Sequence, residues 1–306
     1  MECNNNKLLD PWYITGFVDG EGCFLISVTK DSNSKTGWGV TLGFSIHLHS
    51  KDFPLLERIK MYMGVGNILL KTDRCIYQVR SLKDLVSVID HFDKYPLITR
   101  KRADYLLFKQ AFELIKLKKH LTSEGFLSLI KIKASINKGL SEELKKSFSD
   151  NLLIDKPVVE VPNIIDNNWI AGFIEGEGCF SVKISKSKSN KIGYQVLLRF
   201  TLGQHVKDSL LIKNIIKQFN YGIYSEIFTQ SPICIITITK LNDLEKLILF
   251  LDKYPLQGSK SKDLTDFKQL VKLMKNKAHL TLEGLEKIKL IRSNMNRGRI
   301  NNEVGG

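Results

Sequence analysis

Two hydrophobic periods alternate along the chain, and their succession predicts its elements. Residues 23–30 alternate with period two. Phe24, Ile26 and Val28 face one way and Cys23, Leu25, Ser27 and Thr29 the other, as in a half-buried strand. Residues 31–39 are polar and contain glycine, a loop. A second strand is expected over 40–49, with Leu42, Phe44 and Ile46 inward. The period then becomes helical over 52–63, where Phe53, Leu56, Ile59 and Met63 share a face, until Gly64 and Gly66 break it. Short strands at 67–71 and 75–80 flank Thr72-Asp73-Arg74. Ser81 is placed to cap a helix running to Asp93, stopped by Pro96. Amphipathic helices follow at 99–118 and 122–137, and a helix over 11–22 opens the series. This half of the chain therefore reads α-β-β-α-β-β-α with an extra helix.

The second half repeats the first. Ile14-Thr-Gly-Phe-Val-Asp-Gly-Glu-Gly22 recurs as Ile170-Ala-Gly-Phe-Ile-Glu-Gly-Glu-Gly178, 156 residues on, and both copies run into Cys-Phe. Lys51-Asp52 matches Lys207-Asp208 at the same spacing. After a three-residue insertion, Asp93-Lys-Tyr-Pro-Leu matches Asp252-Lys-Tyr-Pro-Leu. His120-Leu-Thr-x-Glu-Gly then matches His279-Leu-Thr-x-Glu-Gly, and Asn137-Lys-Gly matches Asn296-Arg-Gly. Domains are expected at 1–140 and 168–306. Residues 141–167, with Pro157 and Pro162 and little periodicity, are expected to link them.

Each nine-residue motif reads as the last turns of a helix, ended by glycine and leading into a strand. Gly16-x-x-x-Gly20 and Gly172-x-x-x-Gly176 leave one helix face almost bare, so two such helices could pack backbone to backbone. Glu21 and Glu177 would then meet at two helix C-termini, where carbonyls and partial negative charge already accumulate. Carboxylate and carbonyl oxygens at such a place suit a hard divalent cation. A lone Gly-Glu-Gly would read as an exposed turn. The same tripeptide twice, each after a small-faced helix, favours the metal reading.

Composition narrows the partner. Lys and Arg number 46 against 32 Asp and Glu, a formal charge of +14, with a pI of about 9.4. That excess points to an anionic polymer, nucleic acid first. No apolar run approaches the roughly 20 residues of a membrane span. The Asn-rich N-terminus has no signal-peptide core. Cysteines at 3, 23, 75, 179 and 234 form no C-x-x-C pair, so neither zinc nor a disulfide framework is expected. The histidines show no metal spacing, and His120 and His279 are expected to support helix ends. Outward strand positions carry Ser27, Thr29, Gln78 and Arg80 in one half. Ser181, Lys183, Arg199, Thr201, Thr237 and Thr239 occupy them in the other. Such faces suit a groove of duplex DNA, where Arg and Gln read guanine and adenine edges.

Motifs, element order and linker together resemble the LAGLIDADG homing endonucleases (meganucleases) of the single-chain, two-repeat kind. The resemblance implies an α/β (α+β) fold of two pseudo-symmetric αββαββα domains, with paired motif helices and antiparallel four-stranded sheets forming a saddle on double-stranded DNA. It makes Glu21 and Glu177 metal ligands, with the carbonyls of Gly20 and Gly176, and makes Asp19 and Glu175 mainly structural. It implies a monomer needing Mg²⁺, with Ca²⁺ able to occupy the site without supporting cleavage. The expected product is a staggered double-strand break across the minor groove of a long target. The family's glutamine falls on Gln204. The other half departs from the pattern, with Leu48 there, leaving His47, His49 or solvent to orient water. A lysine is expected after the last strand. Lys83 and Lys240 are the candidates, although Lys83 pairs with Asn242 and Lys240 with Ser81. The family is often encoded in organellar introns, so a mitochondrial location without a transit peptide is expected. Two other functions stay open: an intron-RNA-binding splicing maturase, and a DNA-binding protein that no longer cuts.

Overall fold

A computed structural model describes residues 8–148 and 152–296. Met1 to Lys7, within the Asn-rich start and including Cys3, and Arg297-Gly298 of the second Asn-x-Gly, lie outside the described residues. The chain forms two compact units, Met1–Val161 and Pro162–Gly306.

In the first unit the motif helix α1 spans Pro11–Glu21. The Asp10 carboxylate accepts from the N–H groups of Trp12 and Tyr13 at 2.8 and 3.4 Å, and Pro11 stands where no amide donor is needed. Then come β1 (Gly22–Lys30), β2 (Trp38–His49), α2 (Phe53–Met63), β3 (Asn67–Leu70), β4 (Arg74–Val79) and α3 (Leu82–Lys94). The helices α4 (Lys101–Lys116), α5 (Ser123–Ser135) and α6 (Glu142–Ser147) follow. The strands make one antiparallel sheet in the order β1-β2-β4-β3. Its inner face buries Phe24, Ile26, Leu42, Phe44, Ile46, Tyr77 and Val79 against the helices. Phe24 meets Phe44, Phe92, Tyr105 and Phe108 at ring separations of 5.3 to 5.6 Å, the centre of the unit's core. The period-two pattern thus fixed which side of each strand is covered.

The second unit repeats the order: α7 (Asn167–Glu177), β5 (Gly178–Lys186), β6 (Tyr194–His205), α8 (Ser209–Phe219), β7 (Ile223–Ile227), β8 (Ile233–Ile238), α9 (Leu241–Lys253), α10 (Lys260–Lys275) and α11 (Leu282–Ser293). Asp166 caps α7 as Asp10 caps α1. The sheet order is β5-β6-β8-β7, again antiparallel. Phe180, Phe200 and Phe267 form the corresponding aromatic centre.

The repeated short motifs have structural roles. Thr122 and Thr281 cap α5 and α11, accepting from Gly125 and Gly284 at 3.1 Å. A Cβ on either glycine would lie 2.0 Å from a carbonyl oxygen of the preceding turn, so no larger residue fits. His120 and His279 sit in that turn, beside the helix starts, but the buried Nδ1 of each meets no hydrogen-bond partner there. Asn137 and Asn296, both at positive φ, donate from Nδ2 to the Phe24 and Phe180 carbonyls on the edge strands β1 and β5.

The stretch expected to be a linker is partly built into the first unit. Leu140, Leu144 and Phe148 recur every fourth residue, a helical stripe. With Phe126 and Ile130 they cover Val28, Trp38 and Val40 at the far end of the β1–β2 hairpin. The division between units falls later, between Val161 and Pro162.

Candidate active sites at the motif helix termini

At the end of α1 the chain passes straight into β1. Gly22 has φ −75° and ψ 154°, an extended conformation open to any residue. The motif glycine is therefore required for room and not for a left-handed turn. A Cβ there would lie 2.4 Å from Val18 Cγ1 and 2.9 Å from the Val18 oxygen. At Gly178 it would lie 2.7 Å from the Ile174 oxygen. This tight exit leaves Gly20 and Glu21 half-buried at the last turn, and Gly176 and Glu177 likewise in the second unit.

The carbonyls of that turn are held by a lysine. Lys101 Nζ donates to the Val18 oxygen at 2.8 Å and to the Gly20 oxygen at 2.9 Å. In the second unit Lys260 Nζ donates to the Ile174 and Gly176 oxygens, both at 3.0 Å. An ammonium group at a helix C-terminus offsets the negative end of the helix dipole. Here it also sets a positive charge one residue from the motif glutamate.

The buried motif acid fixes the lysine's own segment. Asp19, 2 % exposed, accepts from Ile98 N–H at 3.0 Å, Thr99 N–H at 3.2 Å and the Thr99 hydroxyl at 2.5 Å. Those residues lead directly into α4, which begins with Lys101. Glu175 accepts from the N–H groups of Gln257, Gly258 and Lys260 at 2.9, 3.0 and 3.3 Å, at the start of α10. A carboxylate that collects amide donors at a helix start is well satisfied in a buried place. Asp19 and Glu175 therefore do structural work.

Lys101 and Lys260 escaped the reading of the sequence, which looked just after the last strand of each repeat. Lys83 lies exposed near the start of α3, and Lys240 lies exposed as the residue before α9. The repeat itself held the better signal. Counting from Asp93-Lys-Tyr-Pro-Leu and Asp252-Lys-Tyr-Pro-Leu, Lys101 falls on Lys260, whereas Lys83 and Lys240 have no lysine counterpart.

Other candidates are placed as follows. Gln204, near the end of β6, stands in the inward register with Leu202, and its Oε1 accepts from the His205 N–H at 2.9 Å. His47 contacts the Ser45 hydroxyl at 3.1 Å, and His49 accepts from the Lys51 N–H. The ten outward strand candidates all fall on the sheet faces turned away from the helices. Ser181 pairs with Arg199, Thr201 with Thr237, and Gln78 with Ser45. Lys183 lies opposite Leu197, Ser27 opposite Thr41 and Thr29 opposite Gly39. Arg80 and Thr239 continue the outward rows just past β4 and β8, and Arg80 lies across Gly43. Burial pushes the Cys23 thiol up and the Cys75 thiol to about 11, which keeps both protonated.

Among the described residues, no three His, Cys, Asp or Glu side chains gather as a metal cluster. The donors at each motif end nevertheless fit a hard cation. Mg²⁺ commonly takes one or two carboxylates and completes its shell with water and substrate phosphates. One carboxylate and one carbonyl per unit would be the protein's share.

Two repeats of a strand-and-helix unit, each with an acid and a lysine at the end of a small-faced helix, define the class. The family profile of LAGLIDADG endonucleases matches residues 14–112 and again 170–271, and the chain belongs to that family. "Probable intron-encoded endonuclease 3" of Neurospora crassa is 38% identical over 293 residues, 94% of this chain and 55% of that protein. "Probable intron-encoded endonuclease 2" of the same organism is 38% identical over 297 residues, 92% of this chain and 64% of its own length. The chain thus spans roughly half to two-thirds of these relatives. Among solved structures, the LAGLIDADG meganuclease I-CpaMI bound to uncleaved DNA superposes with a TM-score of 0.89 at 40% identity, covering 94% of this chain and 99% of that one. The homing endonuclease I-SmaMI bound to cleaved DNA gives 0.91 at 39%, covering 96% and 99%. I-SmaMI has also been solved with calcium ions, and as a double lysine-to-alanine mutant. Its two mutated lysines are as far apart in sequence as Lys101 and Lys260.

Proposed function

We propose that this protein is a site-specific endonuclease that cuts double-stranded DNA with Mg²⁺, using one centre in each unit and leaving a staggered break across the minor groove. The observation that carries this reading is the doubled helix terminus. Glu21, the Gly20 carbonyl and Lys101 in one unit answer to Glu177, the Gly176 carbonyl and Lys260 in the other.

A bound divalent ion supplies Lewis acidity and a water of lowered pKa. The chain's own residues do the rest. Glu21 and Glu177 would hold the ion, with the Gly20 and Gly176 oxygens. Lys101 and Lys260 keep those oxygens in place and set positive charge where a cleaved phosphate gathers negative charge. Asp19 and Glu175 position the lysines through the loops they anchor. Gln204 would orient water in the second unit, with His47 or His49 in that place in the first. Lys83 and Lys240, exposed at helix starts, fit phosphate contacts better than the reaction centre. The outward sheet faces, with Arg80, Gln78, Arg199 and Lys183, would lie along the duplex. Calcium would fill the site without supporting cleavage. No protein partner is required. The relatives named for introns, one in an ND4 intron of Podospora anserina, support a mitochondrial site of action.

The test is selection of bound duplexes from a randomised pool, followed by incubation of a plasmid carrying the selected site with Mg²⁺ or with EDTA. Linear product with Mg²⁺ alone is expected. Tight binding without cleavage would leave a DNA-binding protein. Retention of intron RNA but no duplex would hand the fold to a maturase role.

A further inference from the structure

We infer that the β7–β8 ribbon of the second unit reads thymine methyl groups, so that the half-site beneath it is rich in A·T pairs. The inference rests on the reading above, in which this sheet face lies on duplex DNA.

The two ribbons of the protein share a fold but not a surface chemistry. In β7–β8 the pairs are Ile223 with Thr237, Ser225 with Ile235, and Ile227 with Ile233. The intervening residues turn to the helix side. Cys234, Ile236 and Ile238 are buried, and Glu226 meets Lys213 of α8. The isoleucines therefore take the outward face, where Ile223 is 61 %, Ile227 46 % and Ile233 36 % exposed. Ile235 lies across Gly203, within 3.7 Å of where a Cβ would stand. In the first unit, Asn67 stands where the repeat has Ile223, Lys71 where it has Ile227, and Arg74 where it has Ile233. Gln78 and Arg80 answer to Thr237 and Thr239. Leu69, 44 % exposed and opposite Ile76, keeps one apolar pair in the first ribbon where the second has Ser225 opposite Ile235. At the other outward positions hydrogen-bonding and cationic groups are replaced by methyl-bearing ones.

Scattered exposed isoleucines need no explanation, but these are contiguous. Ile223 and Ile227 also lie on the edge strand β7, where charges ordinarily guard against pairing with other chains. The same face continues into Arg199, Thr201 and Lys183, which suit DNA, so one anionic polymer would cover both. A major groove admits a two-stranded ribbon, and the apolar group it presents is the thymine 5-methyl.

The experiment uses a duplex selected by the whole protein from a randomised pool. Base pairs whose preference changes in Ile223→Asn and Ile227→Lys, the residues found in the other ribbon, mark the half-site. Deoxyuridine then replaces thymidine there, removing only the methyl. Each methyl in contact should be worth about three- to fivefold in affinity for the wild type. The variants should lose that sensitivity, and the same replacement in the other half should change little. Tight binding with no response to deoxyuridine would overturn the inference and leave the endonuclease reading standing. Failure to select any duplex would remove the reading beneath it. A concentration-dependent dimer abolished by Ile227→Lys would assign the face to a second copy of the chain and also overturn it.

Discussion

Lowering the pH should weaken the first unit through one histidine. His91 of α3 is buried, and its two ring nitrogens are engaged. Thr15 of the motif helix donates its hydroxyl to the Tyr95 carbonyl at 3.0 Å, so toward His91 Nε2, 3.1 Å away, it acts as acceptor. Tyr62 lies 3.1 Å from Nδ1 and serves as donor. The ring is thus neutral with its proton on Nε2, and burial pushes its pKa from 6.5 down to about 4. The folded state resists a proton that the unfolded chain accepts. Stability from this group is therefore full above about pH 6.5 and falls as pH drops toward 4. A shift of that size corresponds to about 3 kcal/mol once the group is fully charged, and to about 2 kcal/mol at pH 5. The second unit has Phe250 at this place, packed on Phe219 and Tyr254, and Ala171 in place of Thr15. The assay is urea unfolding of wild type and His91→Phe from pH 8 to 4.5, with hydrogen exchange to localise the response. The variant should be less sensitive to acid by about 2 kcal/mol at pH 5, and the difference should lie in the first unit. Parallel pH profiles, or a His91 imidazole signal titrating near 6.5, would refute the reasoning.

Further outcomes follow from the same geometry. Lys101→Met or Lys260→Met should slow cleavage by roughly 10²–10³ while changing duplex affinity little, as single-turnover rates and binding isotherms will show. Asp19→Asn, which puts an amide donor against the Ile98 and Thr99 donors, should cost about 1–3 kcal/mol and reduce kcat, both measurable on one preparation. Gly22→Ala should destabilise the first unit by about 1–3 kcal/mol, because its methyl meets Val18; an unchanged melting temperature would count against the tight exit. If 6–10 phosphates are neutralised, affinity should drop by roughly 10³–10⁵ between 50 and 200 mM salt.

Much of this was legible beforehand for a physical reason. The period-two residues Phe24, Ile26, Leu42 and Phe44 carry their burial in their spacing. The 156-residue echo of the motif carried the duplication. Asp19 and Glu175 were read as structural, and their burial with three donors each bears that out. Three features needed the tertiary structure. Lys101 reaches the Gly20 carbonyl from 81 positions away in sequence, a contact that no local pattern encodes. The stripe Leu140, Leu144 and Phe148 was hidden in a short polar stretch, because its partners are Trp38 and Val40. Gly22 was legible as the residue that ends the motif helix, but the reason it must be small, the Val18 side chain and carbonyl against it, was not.

The central claim is that each unit owns one reaction centre built on its motif glutamate. It is tested by following supercoiled plasmid bearing the selected site with Glu21→Gln, Glu177→Gln and the double variant, at Mg²⁺ and enzyme concentrations that saturate binding. Each single variant should lose coordinated double-strand cleavage while binding the duplex nearly as tightly as wild type, since neutralising one acid removes a metal ligand and relieves repulsion. The double variant should leave the plasmid supercoiled. A single variant that still linearises the plasmid at the wild-type rate would contradict the account.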